Sequence, residues 1–138
     1  MSEVKEGLYY TKTHQWYDPE SGKVGITAYA AEQLGEISFV DVEPIDGEEV
    51  EQVKLDGNEP TNDPLDATVE SSKAVGDIYC PVSGTISGVN SDLLDTPEKV
   101  NEDPYGEGWL FTIEASNFDG EKSNLLTTSE YKDFLAKL

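Results

Sequence analysis

Short runs of alternating apolar and polar residues recur along the chain and are separated by turn-forming residues. The run KVGIT (23–27) places Val24 and Ile26 on one face of an extended strand. Because successive side chains of a strand point to opposite faces, this alternation predicts short, half-buried β-strands. Their close spacing is typical of a β-sandwich or barrel and not of a parallel sheet with helical crossovers. Similar runs occur at 36–42, 84–89 and 109–115, with apolar positions Ile86, Val89, Leu110 and Ile113.

The run EISFVDV (36–42) has apolar residues at odd and at even positions. Strict alternation predicts that Ile37 and Phe39 share one face of this strand, with Val40 and Val42 on the other face. We therefore expect a strand that carries apolar side chains on both faces.

Helical signals are fewer. The segment AYAAEQLG (28–35) predicts a short helix that ends at Gly35, a residue type favoured just after the last helical turn. Thr127 and Glu130 have capping-box spacing, which predicts a C-terminal helix at about 129–137. Its apolar residues recur at helical spacing along one face: Tyr131, Phe134, Leu135 and Leu138.

Two further caps are expected between the last strands. Asn90 or Ser91 is expected to cap a turn through 92–94. In the segment 96–98, threonine followed by proline and glutamate reads as a cap followed by proline at the first helical position.

The length of 138 residues fits one domain spanning 1–138. The segment KLDGNEPTNDPLD (54–66) is dense in glycine, asparagine, aspartate and proline, which predicts an exposed loop. No internal repeat with a period of 20–50 residues is visible.

The chain is strongly acidic, with 29 acidic residues against 9 basic ones and a formal net charge of −20. All the basic residues are lysines. Nucleic-acid binding and binding to anionic membrane surfaces are therefore disfavoured, since both depend on clustered positive charge. The same charge favours encounters with basic faces of partner proteins.

We expect a cytoplasmic protein. The start MSEVKEGLYY has no leader-like apolar region, and no window approaches the roughly 20 apolar residues of a membrane span. A single cysteine, Cys80, allows no internal disulfide and fits a reducing compartment. A mature organellar matrix protein would have the same features.

Residues for catalysis are scarce. The sequence has a single histidine, His14, and a single cysteine, Cys80, which could form one nucleophile–base pair. Cys80 lies at an apolar strand end, where a buried inert thiol is the simpler interpretation. Two such residues do not make a zinc site, so no metal is expected. The carboxylate clusters lack the spacing of a calcium loop, and no phosphate-binding glycine loop is present.

A carrier of a covalently attached cofactor is the remaining possibility, and the segment ESSKAVGDIYCP (70–81) fits one. Lys73 is surrounded by small residues and lies between the apolar residues Val69 and Ile78. A lysine at the tip of a tight hairpin is accessible to a modifying enzyme. From the spacing alone, an ordinary surface lysine in a turn stays the simpler explanation.

The segment ESSKAVGDIYCPVSGTI (70–86) resembles the lipoyl-attachment region of glycine cleavage system H proteins. Lys73 lies between Ser72 and Ala74, whereas the lysine of biotin carriers typically lies between two methionines. The resemblance spans nearly the whole chain, through YYTKTHQW, VGITAYAAEQLGEISFVDV, NEDPYGEGWLF and SEYKDFL.

The resemblance implies a mainly β fold, the barrel-sandwich hybrid of lipoyl/biotinyl domains, with a few peripheral helices including a C-terminal one. It implies that Lys73 carries lipoic acid on its side-chain nitrogen. The other implied hairpin and cleft residues are Glu70, Ser71, Ser72, Ala74 and Asp77, and the candidates for a cleft that receives the lipoyl arm are Thr13, His14 and Gln15.

The resemblance also implies a non-catalytic shuttle. It would carry an aminomethyl group from glycine decarboxylase to aminomethyltransferase and then present the dithiol to dihydrolipoyl dehydrogenase. Lipoate ligase, or lipoyl synthase with an octanoyltransferase, would attach the cofactor. We expect a monomer.

The chain departs from the family pattern at Gln15, where glutamate is usual, at Ser72, where valine is common, and in the long segment 54–66. Loss of the glutamate charge would weaken protection of a loaded arm, because charge-assisted hydrogen bonds are stronger. Two alternatives stay open. One is an H-like lipoyl donor in a lipoate relay, and the other is an unmodified interaction module.

Overall fold

A computed structural model describes residues 3–138. The strands are β1 (Tyr9–Tyr10), β2 (Gln15–Tyr17), β3 (Lys23–Ile26), β4 (Ile37–Asp41), β5 (Glu49–Val50), β6 (Leu55–Asp56), β7 (Glu59–Pro60), β8 (Thr68–Ser71), β9 (Val75–Gly76), β10 (Gly84–Val89) and β11 (Phe111–Ala115). The helices are α1 (Ala28–Leu34), α2 (Lys99–Glu102), α3 (Phe118–Glu121) and α4 (Thr128–Ala136), with 3₁₀ turns at Glu43–Ile45, Ser91–Leu94 and Lys122–Asn124.

The strands form two main antiparallel sheets. The larger sheet has the order β1-β2-β3-β11-β10-β5, and the smaller has the order β4-β8-β9. Alternate residues of both sheets point into one core, as the strand periodicity predicted. Its buried members include Val24, Ile26, Val40, Val69, Ile86, Phe111 and Ile113. The mainly β architecture predicted from the alternating runs is confirmed.

One strand face was predicted wrongly. The pairing of β4 with β8 shifts register between Ile37 and Phe39, because β4 has one more residue than its partner at this point. A β-bulge of this kind reverses the alternation beyond it. Ile37, Val40 and Val42 are therefore all buried, whereas Phe39 is 42% exposed on the outer face.

The two main predicted helices are present. In α1, the Thr27 side chain accepts a hydrogen bond from the N–H of Ala30, and Gly35 ends the helix with a φ of 88°. In α4, both hydrogen bonds of the predicted capping box between Thr127 and Glu130 are formed. Helix α4 covers a second apolar cluster, which consists of Leu8, Tyr10, Trp16 and Tyr131.

The caps predicted around residues 90–98 are wrong. The Asn90 amide donates to the carbonyls of Glu107 and Trp109, at 3.0 and 2.8 Å, and makes no cap. Helix α2 begins at Lys99, and the Thr96 hydroxyl donates back to the Asp92 carbonyl. The Asn90 amide thus satisfies two carbonyls that follow it by 17 and 19 residues. The Thr96 hydroxyl adds a side-chain bond to a carbonyl of the preceding 3₁₀ turn.

The segment 54–66 is more ordered than a plain loop. Strands β6 and β7 form a small hairpin that turns at Gly57, where φ is 65°. The N–H of Lys54 donates to the Asn62 side chain at 3.0 Å, and the N–H of Leu65 donates to the Ile78 carbonyl at 2.7 Å. The hairpin is thus anchored at its base, and its tip is exposed.

Among residues 3–138, no helix combines the length and the apolar character needed to span a membrane.

Candidate functional site

Lys73 lies in a two-residue turn that joins β8 to β9. The N–H of Ser71 donates to the Ala74 carbonyl at 2.9 Å, so Ser72 and Lys73 form the turn. Neither of these residues has a positive φ. The turn is therefore not one of the two-residue types that best match the twist of a hairpin, and it needs further support.

The Ser71 hydroxyl gives this support. It lies 3.3 and 3.2 Å from the N–H groups of Lys73 and Ala74, which donate to it, and it donates to the Leu34 carbonyl at 2.6 Å. Leu34 is the last residue of α1. One buried hydroxyl thus closes the turn and ties it to the end of a helix.

The Lys73 side chain is exposed. Its ammonium makes no ion pair with any residue in the range 3–138. The alkyl stem passes over Gly35, where an added Cβ would lie 2.8 Å from Lys73 Cε. A side chain at position 35 would push this flexible stem aside, whereas the positive φ of 88° is what favours glycine there.

A cleft of about 330 Å³ opens beside the hairpin. Four segments form it: the turn before β2 with the first residue of that strand, the last residue of β3, one face of α1, and residues 76–78. It brings together the predicted residues Thr13, His14, Gln15 and Asp77. Sequence reasoning did not find the other lining residues, which are Ile26, Tyr29, Ala30, Gln33, Leu34, Gly76 and Ile78.

The helical spacing of Ala30, Gln33 and Leu34 is the signal that could have found the α1 wall, since residues three and four apart share a face. The remaining predicted residues lie elsewhere. Glu70 is on the outer face of β8, opposite Phe39, and Ser72 is in the turn. They belong to the hairpin and do not line the cleft.

Gln15 is turned inward. It is 1% exposed, and its Oε1 accepts hydrogen bonds from the hydroxyls of Thr11, at 2.8 Å, and Thr13. Its Nε2 donates to the Thr13 carbonyl at 2.9 Å. The amide is therefore satisfied by its own turn. Asp77 is exposed and leaves a carboxylate at the cleft.

His14 forms a wall of the cleft and joins it to α4. Its φ of 72° is unusual for a residue other than glycine. Its Nδ1 lies 2.7 Å from the Tyr131 hydroxyl, which lies 2.8 Å from the hydroxyl of Thr27. The ring also packs on Tyr29, with centroids 4.7 Å apart. Burial lowers the pKa of His14 to about 4, so the ring is neutral at pH 7.

Cys80 is buried in the core. Burial raises the pKa of its thiol to about 12, so the thiol stays protonated at neutral pH. This agrees with the expectation of an inert cysteine. A second hollow, of about 400 Å³, lies between the Ser91–Leu94 turn and Trp109, and none of the predicted hairpin or cleft residues lines it.

Two packed antiparallel sheets with an exposed lysine at the tip of a hairpin define a domain of the lipoyl/biotinyl type. The model of the glycine cleavage H-protein family matches residues 8–138. The probable glycine cleavage system H protein of Pyrococcus abyssi is 42% identical over 138 residues, covering 98% of this chain and 94% of that protein. The glycine cleavage system H protein of Rubrobacter xylanophilus is 43% identical over 133 residues, covering 95% and 94%.

A crystal structure of a glycine cleavage system H protein from Mycobacterium marinum superposes with a TM-score of 0.77 at 32% identity, covering 96% of this chain and 99% of that chain. This chain therefore belongs to the glycine cleavage H-protein family. The barrel-sandwich fold implied by the sequence resemblance is confirmed.

Proposed function

We propose that this protein is a lipoyl carrier of the glycine cleavage system and that Lys73 is its attachment site. The observation that carries the proposal is the free Lys73 ammonium at the tip of an ordered hairpin. An enzyme can reach this nitrogen without unfolding the domain, and no ion pair within residues 3–138 competes for it.

The residues around Lys73 fit a covalently held lipoyl group. Attachment forms an amide bond between Lys73 Nζ and the carboxyl carbon of lipoic acid activated as an acyl-adenylate; adenosine monophosphate leaves, and the nitrogen loses two protons. When bound, the lipoyl group supplies a dithiolane that accepts and releases a one-carbon unit. The small neighbours Ser72 and Ala74 leave the approach to Nζ open.

The protein's own residues hold the attachment turn and shelter the adjacent cleft from water. The Ser71 hydroxyl bonds to the Leu34 carbonyl and accepts from the N–H of Lys73, so the backbone of Lys73 is held in place. The apolar side chains of Ile26 and Leu34 line the adjacent cleft and restrict water there. Asp77 contributes a carboxylate that favours a cationic cargo, and the neutral His14 ring adds no opposing charge.

In this role the protein is non-catalytic and presents its tethered group to the enzymes of the system. A tethered group meets each enzyme at high effective concentration, which replaces free diffusion of the cargo. The partners are glycine decarboxylase, aminomethyltransferase and dihydrolipoyl dehydrogenase, together with the enzymes that attach the cofactor. We place the carrier in a reducing cytoplasm, because its single cysteine, Cys80, forms no internal disulfide. We expect a monomer, because the net charge of −20 opposes self-association.

The test is the intact mass of the purified protein after incubation with a lipoate–protein ligase, ATP and lipoate. One lipoyl increment is expected for the wild type and for Lys54→Arg, whose lysine is exposed in another hairpin. Lys73→Arg keeps the charge and should gain no mass. An increment on Lys73→Arg, or none on the wild type, would refute the attachment site.

The other two hypotheses predict different outcomes. An interaction module would gain no mass under these conditions. A relay donor would gain the lipoyl group and pass it to other acceptor domains, without supporting glycine-dependent exchange of carbon dioxide. The replacement of glutamate by Gln15 does not favour the relay, because that amide bonds within its own turn.

A further inference from the structure

The small sheet has an outer face with an apolar row on it. In the strand register, Phe39 lies opposite Glu70, and Glu70 lies opposite Val75. These three residues form one row across β4, β8 and β9, which we call the outer row. Their neighbours Val40 and Val69 point the other way into the core.

The exposure of the outer row is unusual in this molecule. Phe39 and Val75 are 42% and 62% exposed. Within residues 3–138 they are two of four large hydrophobic residues with this degree of exposure, the others being Leu94 and Leu138. The bulge in β4 keeps Phe39 on the outside. Exposed apolar side chains that cluster beside polar ones often mark an interaction surface.

The outer row lies next to Lys73. Glu70 is three residues before the lysine and Val75 is two residues after it. Since a strand advances about 3.3 Å per residue and neighbouring strands are about 4.8 Å apart, the row lies within roughly 15 Å of the lysine backbone.

We infer that the outer row is the docking surface for the enzyme that acylates Lys73, an inference that rests on the proposed function. That enzyme must bring its reacting carbon to Nζ itself, whereas enzymes that use a loaded arm meet its far end. A specific interface covers about 800 Å² per partner, which as a disc centred on Lys73 has a radius of about 16 Å. Such a disc includes the row.

The charges around the row define the chemistry of this partner. The Glu70 carboxylate lies between the two apolar side chains and makes no ion pair or side-chain hydrogen bond with any other residue in the described range 3–138. Glu36 and Asp41 add carboxylates beside and within β4. The acylating enzyme is thus expected to present an apolar patch with a basic residue placed to meet Glu70.

The experiment measures kinetics of acylation by a lipoate–protein ligase with ATP and lipoate, as the carrier concentration is varied. The double variant Phe39→Thr/Val75→Thr removes the apolar contacts and keeps β-branched residues suited to strands. Its KM should rise on the order of tenfold, as for loss of central interface contacts, with kcat within about twofold of the wild type. A KM equal to that of the wild type would overturn the inference.

Leu138→Thr is the matched control, because Leu138 is also 62% exposed but lies at the end of the chain. Its KM should not change. A similar rise in both variants would attribute the effect to general surface hydrophobicity and would overturn the inference. Thermal melts of the three proteins should coincide within about 2 °C, as expected for exposed positions.

Further readouts separate this inference from the proposed function. A wild-type protein that gains no lipoyl group refutes both, whereas acylation with an unchanged KM in the double variant refutes only the docking surface. After complete loading with excess ligase, the double variant should support glycine decarboxylase exchange at the wild-type rate. A loss of this exchange would assign the outer row to glycine decarboxylase and overturn the inference. A wild-type dimer that the substitutions dissociate would assign the row to a second copy of this chain and would also overturn it.

Discussion

His14 shows how one side chain can serve both the fold and the cleft. Its imidazole lies between Tyr29 and Tyr131, and it joins the turn before β2 to helix α4. The positive φ at this position turns the ring into the wall. Because the imidazole is partly buried, desolvation favours its neutral form.

The pKa shift of His14 has a consequence for stability. In the unfolded chain its pKa is about 6.5, against about 4 in the fold, so between these values the unfolded state binds more protons. The contribution of the neutral His14 ring to the free energy of unfolding is therefore full above pH 6.5 and is lost as the pH falls toward 4. After allowance for its partial exposure, the loss should be about 1–2 kcal/mol.

His14→Asn tests this, since asparagine tolerates the positive φ and does not titrate. Urea unfolding of the wild type and the variant at several pH values gives the difference between their free energies of unfolding. The carboxylates titrate in both proteins, so their effects cancel in this difference. The difference should favour the wild type less at pH 5 than at pH 7.5. A constant difference would show that His14 is not kept neutral by burial.

The hairpin of β8 and β9 is held by its contact with α1 as much as by its own ladder. Its paired region is short, with register pairs at Val69–Gly76 and Glu70–Val75. A two-stranded ribbon of this length has little stability alone. The bond from Ser71 to the Leu34 carbonyl and the packing of Leu34 against Gly76 attach it to the helix.

Ser71→Ala should therefore loosen the hairpin. It removes a donor to the Leu34 carbonyl and an acceptor for two N–H groups, which should lower the free energy of unfolding by about 1–3 kcal/mol. Hydrogen exchange of the Ala74 amide should accelerate, and acylation of Lys73 should slow because its orientation is less fixed.

Ser72→Ala is the control for this change, since the Ser72 hydroxyl makes no hydrogen bond within residues 3–138. It should change the free energy of unfolding by less than about 0.5 kcal/mol. Equal effects of the two substitutions would mean that the hydroxyl of Ser71 does not secure the turn.

The molecule as a whole carries far more negative charge than its ion pairs offset. Across residues 3–138 there are five ion pairs, all between side chains with substantial exposure. Pairs of this kind contribute little to stability. Repulsion among the remaining carboxylates therefore opposes the compact state, while it favours solubility.

Salt should relieve this repulsion. Raising sodium chloride from about 0.05 M to about 0.5 M shortens the Debye length several-fold, so the thermal midpoint should rise. The variant Glu48→Gln/Glu49→Gln removes two adjacent exposed carboxylates. Its thermal midpoint should be higher than that of the wild type at low salt and should rise less when salt is added. A midpoint that is independent of salt would indicate that the charges are already balanced locally.

Local signals in the sequence were sufficient for much of the fold. The alternation around Val24 and Ile86, the end of α1 at Gly35 and the capping box at Thr127 depend on residues at most four positions apart, and all are present in the structure. The exposed lysine between small residues was visible for the same reason.

Other features needed the folded chain. The bulge that exposes Phe39 depends on how β4 pairs with β8, about 30 residues later, and the cleft joins Thr13, Leu34 and Asp77 from three distant segments. Likewise, the hydrogen-bond partners of the Gln15 amide depend on which hydroxyls lie near it after folding. Periodicity describes which residues are apolar, but only packing between segments decides which face each of them meets.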